Sequence, residues 1–227
     1  TIWSDNFDDP ATWTINNDGL GGVGYGWDIN DMSEGWWSSN GINSTSGGNY
    51  AELSNGDATA NSQELDVVLT MTTTDPIDVI ALGGTNQVTL EFEQYGARFN
   101  DLQQISISTD GTTFTPVGDN LDKSVLSQSG GSPYDNPDLK QINLGTVLTP
   151  TNDPIWIRFT WTTNYPSAST NPNVWITYGW YIDDVKLVTN PDNDLEVTDS
   201  YWGTEGLHYY RIPTTQVAPI DFQASVF

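Results

Sequence analysis

The sequence predicts an all-β fold, an antiparallel sandwich of two sheets with almost no helix. Apolar residues recur with a period of two, in short runs separated by turn signals. Charged residues make up only 16% of the 227-residue chain, so its polarity comes from Asn, Thr, Ser and Gly, which favour turns and strands. With 36% hydrophobic and 12% aromatic residues, the chain is too apolar for a disordered acidic segment.

Seven segments carry the strand pattern. They are 49–54, 65–71, 87–96, 103–111, 139–145, 154–163 and 180–188. In the sixth of them, alternation places Trp156, Arg158 and Thr160 on one face of the strand and apolar residues on the other. The Asp-Gly step at 110–111 predicts a hairpin turn at the end of the fourth.

Three stretches lack this alternation and are predicted to be long loops, which in a folded domain are usually functional or disordered. They are 14–48, 122–138 and 164–174. We predict one domain over 1–189, a linker over 190–193, and the N-terminal strands of a second, incomplete β domain over 194–227. The second domain is expected to continue beyond the sequence, because the sequence stops within an apolar run.

The chain is strongly acidic, with 6 Lys and Arg residues against 30 Asp and Glu residues and a formal net charge of −24. This charge argues against nucleic acid and against anionic membrane surfaces as partners. The absence of Cys excludes disulfides and thiolate metal sites. No segment resembles a signal peptide or a transmembrane helix, so no membrane insertion is expected.

Two adjacent aspartates, Asp183 and Asp184, interrupt the last strand-like segment. Successive strand residues point to opposite faces, so one carboxylate is expected to point inward or into a crowded seam. A buried carboxylate is costly without a partner, and the chain has few cationic residues to offer. A carboxylate cluster of this kind favours a cation with oxygen ligands, calcium in particular. The alternative is a solvated acidic surface.

The glycine-rich stretch before residue 48 carries Tyr25, Trp27, Trp36 and Trp37 in polar surroundings. Their flat rings suit sugar rings, and neighbouring Asn and Asp side chains would supply hydrogen bonds, so the four are candidate ligand-binding residues. The alternative is that they close the ends of the sandwich as minor core, which is favoured for Trp27. Because anionic glycans suit this charge poorly, the expected partner is a neutral glycan or a cell-surface protein.

Candidate catalytic residues are few, and no enzyme activity is predicted for this chain. The segment 64–69 nearly matches a Glu-x-Asp-x-x-Glu glycosidase strand, but Leu69 stands where that motif requires its general acid. The single histidine, His208, lies in the tail, where a role as an ordinary strand residue is favoured over one in a Ser-His-Asp or zinc site.

The order of several motifs resembles the MAM-like and cleaved-adhesin jelly-roll modules of secreted bacterial proteins, over residues 1–189. The motifs are Phe7-Asp8-Asp9, the step from Ser46 to Ala51, the Ile-Ser-x-Asp-Gly hairpin at 107–111 and Ile-Asp-Asp-Val at 182–185. The chain lacks the Cys residues of the animal MAM pattern and therefore its disulfides. The tail from 194 is similar to the opening of the Ig-like spacer domains that follow such jelly rolls.

The resemblance implies a jelly roll whose terminal strands lie in one sheet and are clamped by a structural calcium ion. The implied ligands are Asp8 and Asp184, then Asp5, Asp9, Asp183 and Asn49. It also implies a non-catalytic, calcium-stabilised extracellular module for adhesion or carbohydrate binding, within a larger secreted protein of the cell surface. The alternatives are an accessory domain of a secreted hydrolase whose catalytic domain lies outside this chain, or an architectural spacer without a ligand.

Overall fold

The period-two pattern forms the described strands of residues 1–189, the first of two units into which the chain divides. The computed structural model describes residues 1–19, 25–33, 41–55, 67–145, 147–148, 154–163, 165–166, 178–190, 197–202 and 222–226. The described residues include no helix long and apolar enough to cross a membrane.

The first unit contains eleven described strands and a short 3-10 helix at Pro10–Thr12. The strands are β1 (Trp3–Asp5), β2 (Trp13–Asn16), β3 (Tyr25–Asn30), β4 (Tyr50–Asn55), β5 (Val68–Thr73), β6 (Val88–Gly96), β7 (Leu102–Ser108), β8 (Thr115–Asp119), β9 (Asp138–Asn143), β10 (Trp156–Thr162) and β11 (Trp180–Thr189). All seven predicted strand segments overlap one of them, with bounds that differ by a few residues.

The strands form two antiparallel sheets. The first sheet has the order β3-β4-β11-β6-β9, with β1 also paired to β11, and the second has the order β2-β5-β10-β7-β8. The eight strands from β4 to β11 divide into two four-stranded paths, β4-β11-β6-β9 and β5-β10-β7-β8, which is the jelly-roll arrangement of two Greek keys. The predicted fold class is therefore confirmed, and the terminal strands β1 and β11 are neighbours in one sheet.

The core lies between the two sheets, where every second residue of a strand points inward. Burial alternates strictly along β6 and β10, as the sequence pattern requires. Phe159 of β10 contacts Phe92 of β6 and Trp180 of β11 edge to face, with ring centroids 5.1 and 5.7 Å apart. Such aromatic pairs add to the burial of apolar area that stabilises the sandwich.

The expectation of an uninterrupted loop over 14–48 is wrong, because β3 lies within it. Residues 25–30 alternate apolar and small or polar side chains, and Tyr25, Trp27 and Ile29 point into the core. The glycines around this strand masked a short period-two pattern. The hairpin expected at 110–111 is confirmed as the connection between β7 and β8.

The second unit, residues 190–227, contains two described strands. These are β12 (Val197–Trp202) and β13 (Phe222–Val226), which pair antiparallel. The Ig-like identity of this unit remains a prediction.

Candidate functional site

The adjacent aspartates lie at a β-bulge in the middle of β11. Asp183 pairs with Glu93 of β6, and Lys186 pairs with Glu91, so three strand steps on β11 oppose two on β6. The extra residue is Asp184, which adopts a left-handed backbone with φ of 51°. Asp is one of the few residues that tolerates this conformation, at a cost of roughly 1–2 kcal/mol.

Of the two expected placements for a carboxylate here, inward or into a crowded seam, the structure shows the second, because the bulge keeps both aspartates out of the hydrophobic core. Ile182 and Val185 both lie in the core, and the extra residue between them restores the alternation that two adjacent polar residues would break. Asp183 lies on the outer face of the first sheet, on the same side of the strand as Tyr181. It is nevertheless fully buried, and Asp184 is 7% exposed, because the segment 41–49 covers this part of the face.

The covering segment donates hydrogen bonds to both aspartates. The Ser44 and Ser46 hydroxyls donate to Asp183, and the Ser46 backbone N–H donates to Asp184 over 2.8 Å. Burial nevertheless raises the pKa of Asp183 to about 6, against the lowering effect of these hydrogen bonds. The nearest cation is Lys186, whose Nζ lies 3.8 Å from Asp184 Oδ1. Hydroxyls and backbone amides, more than cations, therefore satisfy this pair.

The start of the chain brings further aspartates to the same sheet. Asp5 ends β1 opposite Val185, and its Oδ1 accepts hydrogen bonds from the Phe7 backbone N–H and from Trp13 Nε1. Phe7 is fully buried, stacks on Trp13 at 5.2 Å, and has φ of 60°. The buried ring and the Asp5 carboxylate together hold the tight turn that presents Asp8.

Asp8 and Asp9 follow this turn with different roles. Asp9 caps the 3-10 helix, because its Oδ1 accepts from the Ala11 backbone N–H over 3.0 Å. Asp8 Oδ2 accepts a local hydrogen bond, 2.8 Å long, from the Asn6 side chain, and no other from the described residues. Among the predicted ligands, Asp5, Asp183 and Asp184 thus accept hydrogen bonds from residues distant along the chain. The bonds to Asp8 and Asp9 are local.

The segment 46–49 connects the two principal predicted ligands. Ser46 contacts Asp184, while a Cβ placed on Gly48 would lie 3.6 Å from Asp8 Oδ1. Asn49 Nδ2 donates to the Phe7 backbone carbonyl over 3.3 Å, which fixes the segment to the turn before Asp8. Since two residues span at most about 7 Å, Asp8 and Asp184 flank the same short stretch of backbone. We call this arrangement the acidic corner, formed by Asp8, Asp184 and 46–49.

The donor chemistry of the acidic corner fits a hard cation, since carboxylate, amide and backbone carbonyl oxygens are the ligands calcium prefers. Within the described ranges, no group of three or more Asp, Glu, His or Cys side chains is arranged to hold a metal ion. A calcium ion here would take much of its shell of about 6–8 oxygens from backbone carbonyls, Asn49 and water. The oxygen donors suit the ion by their chemical type, and its presence remains a prediction.

The four predicted ligand-binding aromatics divide into two pairs. Tyr25 and Trp27 are 9% and 2% exposed and belong to the core, where Trp27 packs on Trp180 with ring centroids 5.7 Å apart. Neither ring face is open to a sugar, so the alternative core role applies to this pair. Trp36 and Trp37 lie outside the described residues.

The face predicted for β10 is confirmed, with Trp156, Arg158 and Thr160 on the outer side of the second sheet and partly exposed. The sequence did not reveal which strands flank this one, because pairing partners are distant along the chain. The structure places β5 on one side of β10 and β7 on the other.

No family model and no curated protein matches this chain. Among solved structures, it is similar to the K3 cleaved adhesin domain of Lys-gingipain from Porphyromonas gingivalis w83, with a TM-score of 0.47, 15% identity, and coverage of 82% of this chain and 95% of that one. It is also similar to TmCBM61 in complex with β-1,4-galactotriose, with a TM-score of 0.37, 9% identity, and coverage of 78% and 88%. A third, CBM28, is a carbohydrate-binding module specific for non-crystalline cellulose, with a TM-score of 0.36, 14% identity, and coverage of 73% and 89%. Similarities with TM-scores below 0.5 carry no conclusion about the function of this chain.

Proposed function

We propose that residues 1–189 form a non-catalytic, calcium-stabilised module of the cleaved-adhesin, MAM-like type, which serves adhesion or carbohydrate binding outside the cell in a larger secreted protein. The observation that carries the calcium part is the acidic corner. There the turn after β1, the segment 46–49 and the bulge of β11 meet, and the principal carboxylates are Asp8 and Asp184.

The physical role of the ion follows from where these elements lie in the chain. β1 and β11 are the first and last strands of the domain, and β1 contributes only three residues to its pairing with β11. No disulfide exists to tie the ends together, because the chain contains no Cys. An ion shared by Asp8 and Asp184 would clamp the first strand onto the last one.

The test is thermal unfolding of metal-free protein with and without calcium. Binding to the folded state alone raises the free energy of unfolding, by about 2.7 kcal/mol when free calcium is one hundred times the dissociation constant. The Asp184→Asn and Asp8→Asn variants should each lose most of this increase. Asp75→Asn, an exposed carboxylate outside the acidic corner, is the matched control and should keep it. Identical melting curves for metal-free and calcium-loaded wild type would reject the calcium clamp.

The non-catalytic part is tested by incubating the chain with insoluble neutral polysaccharides, the expected ligands for a protein of this charge. We expect retention of protein on a polysaccharide without release of reducing ends. New reducing ends that scale with protein concentration would show a hydrolase instead.

A further inference from the structure

The second sheet is almost free of carboxylates, although the chain contains 30 of them. Strands β2, β5, β10 and β7 contain no Asp or Glu, and the edge strand β8 contains only Asp119. The outward positions of the four strands are mostly hydroxyl and amide side chains. In an acidic protein, a strand surface with so few carboxylates differs from the strands of the first sheet.

Strand pairing places these side chains in rows across the outer face. Arg158 of β10 lies between Thr72 of β5 and Ser106 of β7. The next row is formed by Thr70, Thr160 and Gln104, whose side chains form no hydrogen bond within the described part of the chain. We call these two rows, with Trp156 and Phe114, the neutral face. Thr70, Thr160 and Gln104 are all partly exposed, so their polar groups are open to solvent or ligand.

Arg158 is held on this face without a carboxylate. Its Nε donates to Thr72 Oγ1 over 2.8 Å, and its guanidinium carbon lies 3.4 Å from the ring centroid of Phe114. Desolvation beside that ring lowers the pKa of Arg158 from its ordinary value, yet a guanidinium remains protonated. Stacking and one hydrogen bond fix the side chain while its Nη donors make no hydrogen bond within the described residues.

The other described cations are placed differently. Lys123 contacts Asp138, Lys140 contacts Asp122, Lys186 contacts Asp184, and Arg98 donates to the Leu121 and Lys123 backbone carbonyls. Arg158 alone among the described cations has neither a carboxylate nor a carbonyl oxygen as a partner. A cation left in this state, in a chain with so many carboxylates, has donors available for an external oxygen ligand.

We propose that the neutral face is the platform on which this module binds an uncharged polysaccharide, an inference that rests on the proposed carbohydrate-binding function. Hydroxyl and ring oxygens of the sugar would accept hydrogen bonds from the Arg158 Nη groups, and sugar hydroxyls would pair with Thr70, Thr160 and Gln104. The partly exposed Trp156 ring, which borders Gly111 of the hairpin, offers apolar surface at one end of the rows.

Two electrostatic arguments favour an uncharged polysaccharide. The net charge of −24 opposes an anionic polymer, and the uncompensated guanidinium opposes a cationic one. A strand surface of hydroxyls and amides without Asp or Glu suits a ligand with many neutral donors and acceptors. An extended uncharged glycan meets all three conditions.

The experiment measures depletion of the full chain from solution by insoluble neutral β-glucan, mannan, galactan and xylan, with binding isotherms for Arg158→Gln and Lys186→Gln. Both variants remove one positive charge, but from opposite sheets. We expect Arg158→Gln to weaken binding to the retained polysaccharide at least tenfold, and Lys186→Gln to leave it within twofold. Thr160→Glu, which places a carboxylate beside Arg158, should abolish binding. A cooperative thermal unfolding transition in each variant shows that the fold is intact.

Several results would overturn the inference. If wild type binds a neutral polysaccharide and Arg158→Gln binds equally well, the platform lies elsewhere while the proposed carbohydrate-binding function stands. Loss of binding only in Trp36→Ala or Trp37→Ala would have the same meaning. If wild type prefers an acidic polysaccharide such as alginate in metal-free buffer, the assigned ligand class is wrong. If wild type binds no polysaccharide, the carbohydrate-binding function and the platform fail together.

Discussion

The strands of the two sheets differ in the kind of polar side chain that they contain. The strands of the first sheet contain eight carboxylates, Asp5, Asp28, Glu52, Glu91, Glu93, Asp138, Asp183 and Asp184. Those of the second contain one, Asp119, in the edge strand. Both sheets nevertheless present apolar inner faces to one core. The two sheets therefore differ in the number of carboxylates in their strands, although both have the same apolar pattern on their inner faces.

The difference shows how an acidic chain accommodates buried carboxylates with few cations. On the first sheet, the segment 41–49 supplies hydroxyl and backbone N–H donors. Thr45 donates twice to Glu93, and Ser44 and Ser46 donate to Asp183. Hydrogen bonds to the charged form offset the cost of burial only in part, as the raised pKa of Asp183 shows. On the second sheet the described strands contain one carboxylate, Asp119 at the edge, and outer side chains such as Thr70, Gln104 and Thr160 are left partly exposed.

The most severe way to break the first sheet is to place a charge on the inner side of the bulge. Val185 follows the extra residue, points into the core and is fully buried. Val185→Asp would lose about 1.5–3 kcal/mol of apolar burial and would also bury a carboxylate without a partner. We expect this variant to lose cooperative unfolding, measured by near-ultraviolet circular dichroism during a thermal ramp.

The matched control changes the preceding residue, which does not point into the core. Asp184→Gly allows the φ of 51° without strain and should fold, with a metal-free stability within about 1 kcal/mol of wild type because relief of strain offsets the lost Ser46 hydrogen bond. A Val185→Asp variant that melts like wild type would show that the residue after the bulge does not point into the core.

The carboxylate of Asp101 lies on neither outer face and shows how burial affects a carboxylate elsewhere in the domain. It is 2% exposed, accepts from the Phe99 backbone N–H over 2.6 Å, and receives a longer bond of 3.3 Å from Gln103. Gln103 continues into a buried polar network, accepting from Asn120 and from the Tyr134 hydroxyl. Burial raises the pKa of Asp101 to about 7, against the effect of these bonds and of Arg98.

This raised pKa makes stability depend on pH. Between about pH 4 and pH 7 the folded state keeps a proton on Asp101 that the unfolded chain has lost, so the free energy of unfolding falls as the pH rises. The fall amounts to up to about 4 kcal/mol. Asp101→Asn should flatten this dependence in urea unfolding of metal-free protein, leaving a smaller slope from Asp183. An unchanged slope in the variant would mean that Asp101 is ionised throughout this range.

Sequence patterning predicted the sandwich because period-two burial is local, visible in segments such as 87–96 and 154–163. The ligand roles of Asp8 and Asp184 come from the resemblance alone and remain a prediction. Patterning did not predict the bulge at Asp183-Asp184, because strict alternation has no place for an extra residue, and it missed β3, where glycines interrupt the pattern. The neutral face could not be predicted from sequence patterning, because strands distant along the chain bring Thr70, Thr160 and Gln104 together.

The smallest expected effect is the salt dependence of the contact that the cation makes on each face. Arg158 stacks on Phe114, whereas Lys186 lies near Asp184, so the two pairs should respond differently to salt. A double-mutant cycle of Arg158→Gln and Phe114→Leu should give a coupling energy of about 0.5–1 kcal/mol in urea unfolding. Because a ring carries no net charge, this coupling should change little between low and high ionic strength.

The parallel cycle uses Lys186→Gln and Asp184→Asn in metal-free protein. The contact is 3.8 Å long and partly exposed at the lysine, so we expect about 0.2–1 kcal/mol at low salt and a clear decrease at high salt. A ring-stacked cation whose coupling falls with salt as steeply as that of Lys186 would indicate that Arg158 also interacts with a carboxylate. The neutral face would then lose the property that distinguishes it from the acidic one.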